Sequence, residues 1–499
     1  MKPLTRPGFG VALRAVLVIC SACTTILPHG LPASAPAFGL RADDPATFKV
    51  RAFLTTHGGD VWDFGDVTSL VSVQSDGNGL PPAKDGSAVP QHRSAKPGRY
   101  LAGVERGDEP GEKAIAHLLV PVEKPRGDST PSSAANDYFP PPESQGGWRK
   151  LTSPEDIRRV GEMDPAKLDQ LKAWLLQSDQ RDFAAVVIRH GSIVLEVERG
   201  NSARTDSRRV ASVSKAVCAT VLAVASEWSQ QGLTPRKMKF DDPAFDFIPW
   251  ARPLSDPRKA RITVKQLLNH TSGICPEATG ASNDGSWEYV LGQSGDERTA
   301  KLAFDPGTGC GYSTHALHHA ALVCETVTGK PYDQFAMEAL FKPLGIEHWW
   351  FQYFEGGEKI GRHPTHGLGM PARDLARLAY CMLRGGRWGD RQVIPKWFVD
   401  ETAAPTHRVQ SPEMRWQLNP QIFSHGWELP ARHSGPGGRS GAGIPPDARH
   451  KPGSGGQTIA FVPSLDLVVT RQTGSSGKWQ FEEYLRRACG AVVGKTTSE

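Results

Sequence analysis

The chain has 499 residues, enough for two or more domains, and its 38% hydrophobic and 22% charged content describes a soluble globular protein. A formal charge of +5 is mild, and no dense Lys/Arg block with interleaved aromatics occurs, which excludes nucleic acid as a partner. Beyond the N-terminal stretch no long uninterrupted apolar run is present, so no transmembrane segment is expected.

Lys2, Arg6 and Arg14 precede the apolar stretch Ala15 to Leu27, and Ala33-Ser34-Ala35 supplies a small-residue cleavage site. Together they read as an export signal over residues 1–35, with a periplasmic or secreted mature protein and scope for association with the cell envelope. A lipid-anchor alternative stands at Cys23, although Cys20 occupies a position where such signals carry an aliphatic residue. Of the eight cysteines, Cys218, Cys324 and Cys381 sit in apolar helical patterns and are expected to be buried thiols. Cys275 and Cys310 lie in loops and are expected to form a disulfide.

Residues 40–122 contain strand-like pieces, Thr47 to Thr55 and Ile115 to Val122 among them, separated by Gly/Pro/Asp turns, and form a small β-rich module. Residues 123–148, rich in Pro, Ser and Gly, read as a linker too poor in apolar surface to fold alone. The tripeptide Arg126-Gly127-Asp128 within it is read as exposed polar sequence. The main domain is placed over residues 150–495.

Asp164-Pro165 opens a helix, with Asp as N-cap, Pro at the first helical position, and Leu168, Leu171, Trp174 and Leu175 at helical spacing. A hairpin follows, Phe183 to Arg189 and Ser192 to Glu198, turning at His190-Gly191. A second hairpin near the other end joins Thr458 to Val462 with Leu467 to Arg471, and Trp479 to Val493 closes the domain as a helix. The segments between are mostly helical. The predicted fold is α/β (α+β): an antiparallel sheet flanked by N- and C-terminal helices, with a mostly helical subdomain beside it.

Between the hairpins, Ser212-Val213-Ser214-Lys215 heads the apolar run Ala216 to Ser226. Residues three apart on a helix share a face, so the Ser212 hydroxyl and Lys215 amine can approach within hydrogen-bonding reach. A hydroxyl needs a neighbouring base to become a nucleophile, and an apolar helix supplies the desolvation that favours a neutral amine. The competing reading makes Ser212 an N-cap bonded to a free backbone N–H and Lys215 a solvated first-turn residue.

Thr263 to Gly273, T-V-K-Q-L-L-N-H-T-S-G, ends a helical pattern in a turn. Pro306-Gly307-Thr308-Gly309-Cys310-Gly311 then precedes Tyr312-Ser313-Thr314, and a helix from His315 leads to Val327-Thr328-Gly329-Lys330-Pro331. His315, His318 and His319 place two imidazoles on one helical face, but no carboxylate follows in a zincin pattern, so no metal site is assigned. Leu429 to Gly456 is a glycine-rich loop of the length that is functional or mobile. Gly494-Lys495-Thr496 is read as a tail, not a phosphate loop, and no G-x-S-x-G elbow occurs. Trp349, Trp350, Phe351 and Trp427 are divided between an acyl pocket and the core.

The ordered series S-x-x-K, H-T-S-G, P-G-x-x-x-x-Y-S and V-T-G-K-P-Y resembles the serine β-lactamase-related family over roughly Asp164 to Val493, including Arg373-Asp374-Leu375-Ala376-Arg377. That family comprises class C β-lactamases, D-alanyl-D-alanine carboxypeptidases, their esterase relatives and nylon-oligomer hydrolases. The resemblance implies a β-lactamase/transpeptidase-like fold and acyl-enzyme chemistry with no cofactor and no metal. Ser212 is implied as nucleophile, Lys215 as its proton acceptor, and Tyr312 as the phenol that shuttles protons to the leaving group and activates the deacylating water. Lys451-Pro452-Gly453 stands as the third box, and Ser454 follows it. In that register the N–H groups of Ser212 and Ser454 form the oxyanion hole, and Lys451 offers a cation to a substrate carboxylate. Sliding the register puts Ser454-Gly455-Gly456 in the box instead.

Two departures bear on substrate. Thr314 stands where the lactamases and peptidases carry Asn, and it lacks the paired donor and acceptor of an amide. Pro452 removes one strand N–H. The expected function is an exported serine hydrolase acting on a small ester, amide or peptide through a Ser212 acyl-enzyme. The alternatives are a peptidoglycan-directed D,D-carboxypeptidase or β-lactamase, and a catalytically idle cell-envelope binding protein.

Overall fold

The structure, a computed structural model, describes residues 33–34, 40–41, 46–50, 59–66, 68–74, 91–96, 98–106, 114–123, 138–282, 287–355, 362–407, 422–430 and 443–493. Most of the export signal with Cys20 and Cys23, the tripeptide Arg126-Gly127-Asp128, the glycine-rich stretch 431–442 and the tail Gly494-Lys495-Thr496 lie outside the described residues. The chain divides into two compact units, Met1–Ala135 and Asn136–Glu499.

In the first unit, five strands form one sheet in the order Leu40–Arg41, Ala114–Glu123, Gly98–Arg106, Gly59–Asp63, Val71–Gln74. The pairing of Leu40 with Val122 is parallel and the other pairings are antiparallel. Period-two alternation buries Trp62 and Phe64, and Phe48 packs its ring against both at centroid distances of 5.6 and 4.8 Å.

The second unit is built on an eight-stranded sheet. Its strands in chain order are β1 (Arg149–Lys150), β2 (Phe183–Arg189), β3 (Ser192–Arg199), β4 (Phe423–Ser424), β5 (Trp427–Glu428), β6 (Arg449–Gly453), β7 (Gln457–Val462) and β8 (Leu467–Gln472). The spatial order is β1-β3-β2-β8-β7-β6-β5-β4, antiparallel except at β1/β3. Both ends of the domain therefore meet at the sheet's centre, where Val187 pairs with Val469.

Helices α1 (Pro165–Ser178) and α2 (Val213–Gln230) fall on opposite faces of this sheet. Asp164 caps α1 by accepting from Ala166 N–H at 3.0 Å. Leu168, Leu171 and Leu175 of α1 pack with Tyr484 and Leu485 of the closing helix, Phe481–Gly490, over Ala185, Val187 and Val469. The alternate residues Ala184, Val186 and Ile188 face the other way, onto the core containing α2. Burial on both faces explains why Phe183–Arg189 reads as a continuous apolar run. Helix α2 is buried on every side from Val213 to Ser226, which an apolar run of that length requires.

Two expectations need correction. Residues 138–148, read as the end of a linker, belong to the second unit. The buried Arg377 donates to Pro140 O and Pro141 O, Arg373 pairs with buried Glu143, and Trp148 and Phe139 pack against Tyr380, so arginine donors and two aromatic anchors hold the proline-rich backbone together. Cys275 and Cys310 are free thiols. Cys275 Sγ faces Thr279 Oγ1 at 3.9 Å, and burial pushes the Cys310 thiol up to about 12, so neither is poised for exchange.

Candidate active site

Ala211 adopts φ of 47°, a conformation that L-residues avoid, and so turns the chain sharply into α2 at Ser212. The Ser212 hydroxyl does not cap the helix. It accepts instead from Lys215 Nζ at 3.1 Å, which removes the N-cap reading. Lys215 is 1% exposed and therefore not the solvated first-turn residue of that reading.

The same ammonium donates at 3.1 Å to Thr314 Oγ1, at the start of α3 (Thr314–Thr328). The Thr314 hydroxyl in turn donates a hydrogen bond to Glu277 Oε1 at 2.5 Å. Thr314 thus does with one hydroxyl, accepting from lysine and donating to a carboxylate, part of what an amide does with two groups. Glu277 is anchored beside Tyr312, because its backbone N–H donates to Tyr312 O at 2.7 Å.

Tyr312 lies close to two ammonium groups, with Lys215 Nζ 4.6 Å and Lys451 Nζ 4.8 Å from its ring centre. Desolvation alone would push the phenol up; Lys215 and Lys451 outweigh it and hold the phenol below its ordinary value, with the Ser212 side chain adjoining. His270 packs at a tilt against the phenol ring, with centroids 4.4 Å apart, and accepts at Nδ1 from Ser313 N–H. Burial, Lys451 and Lys215 drive its pKa well down, so it stays neutral.

Lys451 is on β6, paired with Ile459, and 1% exposed. Its Nζ forms an ion pair with Glu428 of β5. Burial works against the ammonium, but Glu428 and Tyr312 raise its pKa above the ordinary lysine value. Lys451, not the slid register, therefore faces Tyr312. Gly453 ends β6 against the loop before Ser212, where an added Cβ would lie 2.6 Å from Val210 O. Only glycine allows that approach. The turn beyond it is closed by Gly456 N–H to Gly453 O at 3.0 Å, and Ser454 stands exposed at its corner, outside the strand ladder.

Ser212, Glu277 and Ser454 line two adjoining cavities. The smaller, about 250 Å³, runs past Lys215, Thr314 and Trp350. The larger, about 720 Å³, opens over Tyr312, Lys451 and the apolar side chains of Phe423, Trp479 and Phe481. Ser212, Lys215, Tyr312, Thr314, Lys451, Gly453 and Ser454, the site residues expected from sequence, each line one or both of them. Of the aromatics left divided, Trp350 lines the smaller cavity and Trp427 is core. Sequence reasoning missed Glu277 and Glu428. Glu277 follows the H-T-S-G turn by four residues and carried a weak signal; Glu428 carried none.

The histidines of α3 are buried and used internally: His315 Nε2 meets Ser282 O at 2.8 Å, and His319 Nδ1 meets His315 O at 2.7 Å. Among the described residues no group of His, Cys, Asp and Glu is arranged to hold a metal ion, and no helix is long and apolar enough to cross a membrane.

A Ser-x-x-Lys pair on a central buried helix, a tyrosine close to two lysines, and a sheet strand carrying the second lysine define the class of penicillin-recognising-type serine hydrolase folds. The chain belongs to the beta-lactamase family, whose profile matches residues 177–488. Members of that family are serine hydrolases: esterases, carboxypeptidases and beta-lactamases.

The chain is 35% identical over 102 residues to a lovastatin esterase of Penicillium rubens, covering 19% of this chain and 25% of that protein. It is 28% identical over 165 residues to the D-alanyl-D-alanine-carboxypeptidase/endopeptidase AmpH of Escherichia coli K12, covering 30% of this chain and 39% of that protein. Both matches thus span well under two thirds of the relatives' own length. A solved structure of a candidate beta-lactamase from Bacteroides dorei shares the fold, with a TM-score of 0.51 and 20% identity over 66% of this chain and 99% of that one.

Proposed function

We propose that the protein is an exported serine hydrolase that cleaves a small ester or amide through an acyl-enzyme on Ser212. The observation that carries the reading is the 3.1 Å contact of Lys215 Nζ with Ser212 Oγ at the wall shared by two cavities. Ser212 Oγ attacks the carbonyl carbon and gives its proton to the Tyr312 phenolate, which the two ammonium groups hold below its ordinary pKa. Lys215 orients the hydroxyl and stabilises that phenolate. This shifts the first proton transfer from the lysine to the tyrosine.

The carbonyl oxygen takes the negative charge, opposite the N–H groups of Ser212 and Ser454. Collapse breaks the bond to the leaving group, which takes the proton back from Tyr312. Water then repeats the sequence on the acyl-enzyme and frees Ser212. Export rests on Lys2, Arg6, Arg14 and the apolar stretch that follows them.

The lovastatin esterase and carboxypeptidase relatives frame the substrate choice between ester and D-Ala-D-Ala peptide. The ester is favoured because Glu428 already occupies the cation that a peptide carboxylate would need. The test is turnover of a nitrophenyl ester by wild type and Ser212→Ala. The reading predicts a loss on the order of 10³-fold or more in the variant. Equal rates would refute it, and acylation by a labelled penicillin would favour the peptidase alternative.

A further inference from the structure

The geometry points to a substrate with no carboxylate beside the scissile bond: an uncharged ester with an apolar leaving group. The inference rests on the hydrolase reading and names its substrate class.

Lys451 is the buried cation of the larger cavity, and its ammonium is already paired. Its partner Glu428 sits on the neighbouring strand, opposite His450, and its carboxylate forms an ion pair with the Lys451 ammonium. The Lys451 side chain is 2% exposed and that of Glu428 12%, which leaves the pair largely shielded from water. A substrate carboxylate brought to Lys451 would have to displace Glu428 or lie against it, and like charges at such a distance repel strongly where water is excluded.

A second carboxylate borders the cavities, on an exposed side chain. Glu277 lines both cavities and accepts from Thr314 beside Lys215. Glu277, Arg209 and Lys478 all reach the cavities as exposed side chains, where solvent and salt screen them, so the buried Lys451–Glu428 pair sets the preference. The rest of the larger cavity offers Ile422, Phe423, Trp479 and Phe481, surfaces that suit an apolar group and offer nothing to a carboxylate.

Phenyl acetate and 3-acetoxybenzoate test this, because the same acetyl ester is cleaved and only the leaving group's carboxylate differs. Wild type is expected to show at least a tenfold higher kcat/KM for phenyl acetate. Glu428→Gln frees Lys451 and is expected to narrow that ratio several-fold; the ratio cancels any change the variant makes to the base. If wild type takes both esters equally and Ser212→Ala abolishes both, the substrate inference falls and the hydrolase reading stands. If Ser212→Ala leaves both rates unchanged, the hydrolase reading falls and takes the inference with it. An unchanged ratio in folded Glu428→Gln overturns the assignment to this ion pair. Should that variant not fold, the wild-type ratio decides alone.

Discussion

Lys451 Nζ lies 4.8 Å from the centre of the Tyr312 ring, about as close as Lys215 Nζ at 4.6 Å. The phenol's lowered pKa depends on this neighbour as well as on Lys215, while Glu428 acts against both.

The pH dependence follows with a definite sign. In the proposed mechanism the phenolate is the active form, so kcat/KM for a neutral ester is expected to rise with pH through an inflection below the ordinary phenol value of about 10. Lys451→Met removes a charge that favours the phenolate and is expected to move the inflection up by about one pH unit. Glu428→Gln removes one that disfavours it and moves the inflection down. Opposite shifts in pH–rate profiles, measured on one substrate, distinguish this from general damage to the site.

Thr314 links Lys215 to Glu277 by two hydrogen bonds on one hydroxyl. Thr314→Val keeps the shape and removes both bonds, leaving the buried lysine one acceptor short; kcat is expected to fall roughly tenfold or more. Thr314→Ser restores the hydroxyl and should recover most of the rate. Steady-state kinetics on the three proteins checks this.

Asp179 and Arg471 form a buried pair beside the turn that carries Ser454. Arg471 donates to Asp179 Oδ2 at 2.5 Å and to Gly456 O at 2.9 Å, and stacks 3.8 Å over Trp479. Asp179→Ala leaves the guanidinium unpaired and is expected to cost about 3 kcal/mol, with a loss of kcat because the turn carrying Ser454 loosens. Burial would raise the Asp179 carboxyl, but Arg181 and Arg471 lower it to about 2. Its contribution is therefore full above the unfolded carboxylate value of about 4 and is lost as pH falls through about 2. Thermal unfolding from pH 5 to pH 2, in wild type and variant, should show the difference shrink on acidification.

Much of the site was legible in sequence because each motif falls on a local structure it helps to make. Ser212-x-x-Lys215 is one helical turn, Tyr312 precedes a helix capped by Ser313, and Lys451 lies on the first strand of a hairpin. Both sheet hairpins and α1 were readable from periodicity and caps for the same reason.

What sequence could not supply is what depends on strand register and loop closure. Glu428 reaches Lys451 only because a two-residue strand pairs with β6, a contact with no periodic signature. Glu277 reaches Thr314 because its backbone is tied to Tyr312. The expected Cys275–Cys310 bridge failed because proximity of two loops in sequence order does not align two Cβ vectors. Residues 138–148 were misread because their order comes from arginine donors and an aromatic partner distant in sequence.

The central claim is that Ser212 is a nucleophile. Treatment of the folded protein with a fluorophosphonate, followed by intact mass and peptide mapping, tests it most directly. The account predicts one adduct per chain, on Ser212, and none in Ser212→Ala. A folded wild-type protein that takes no label, or takes it at another residue, contradicts it.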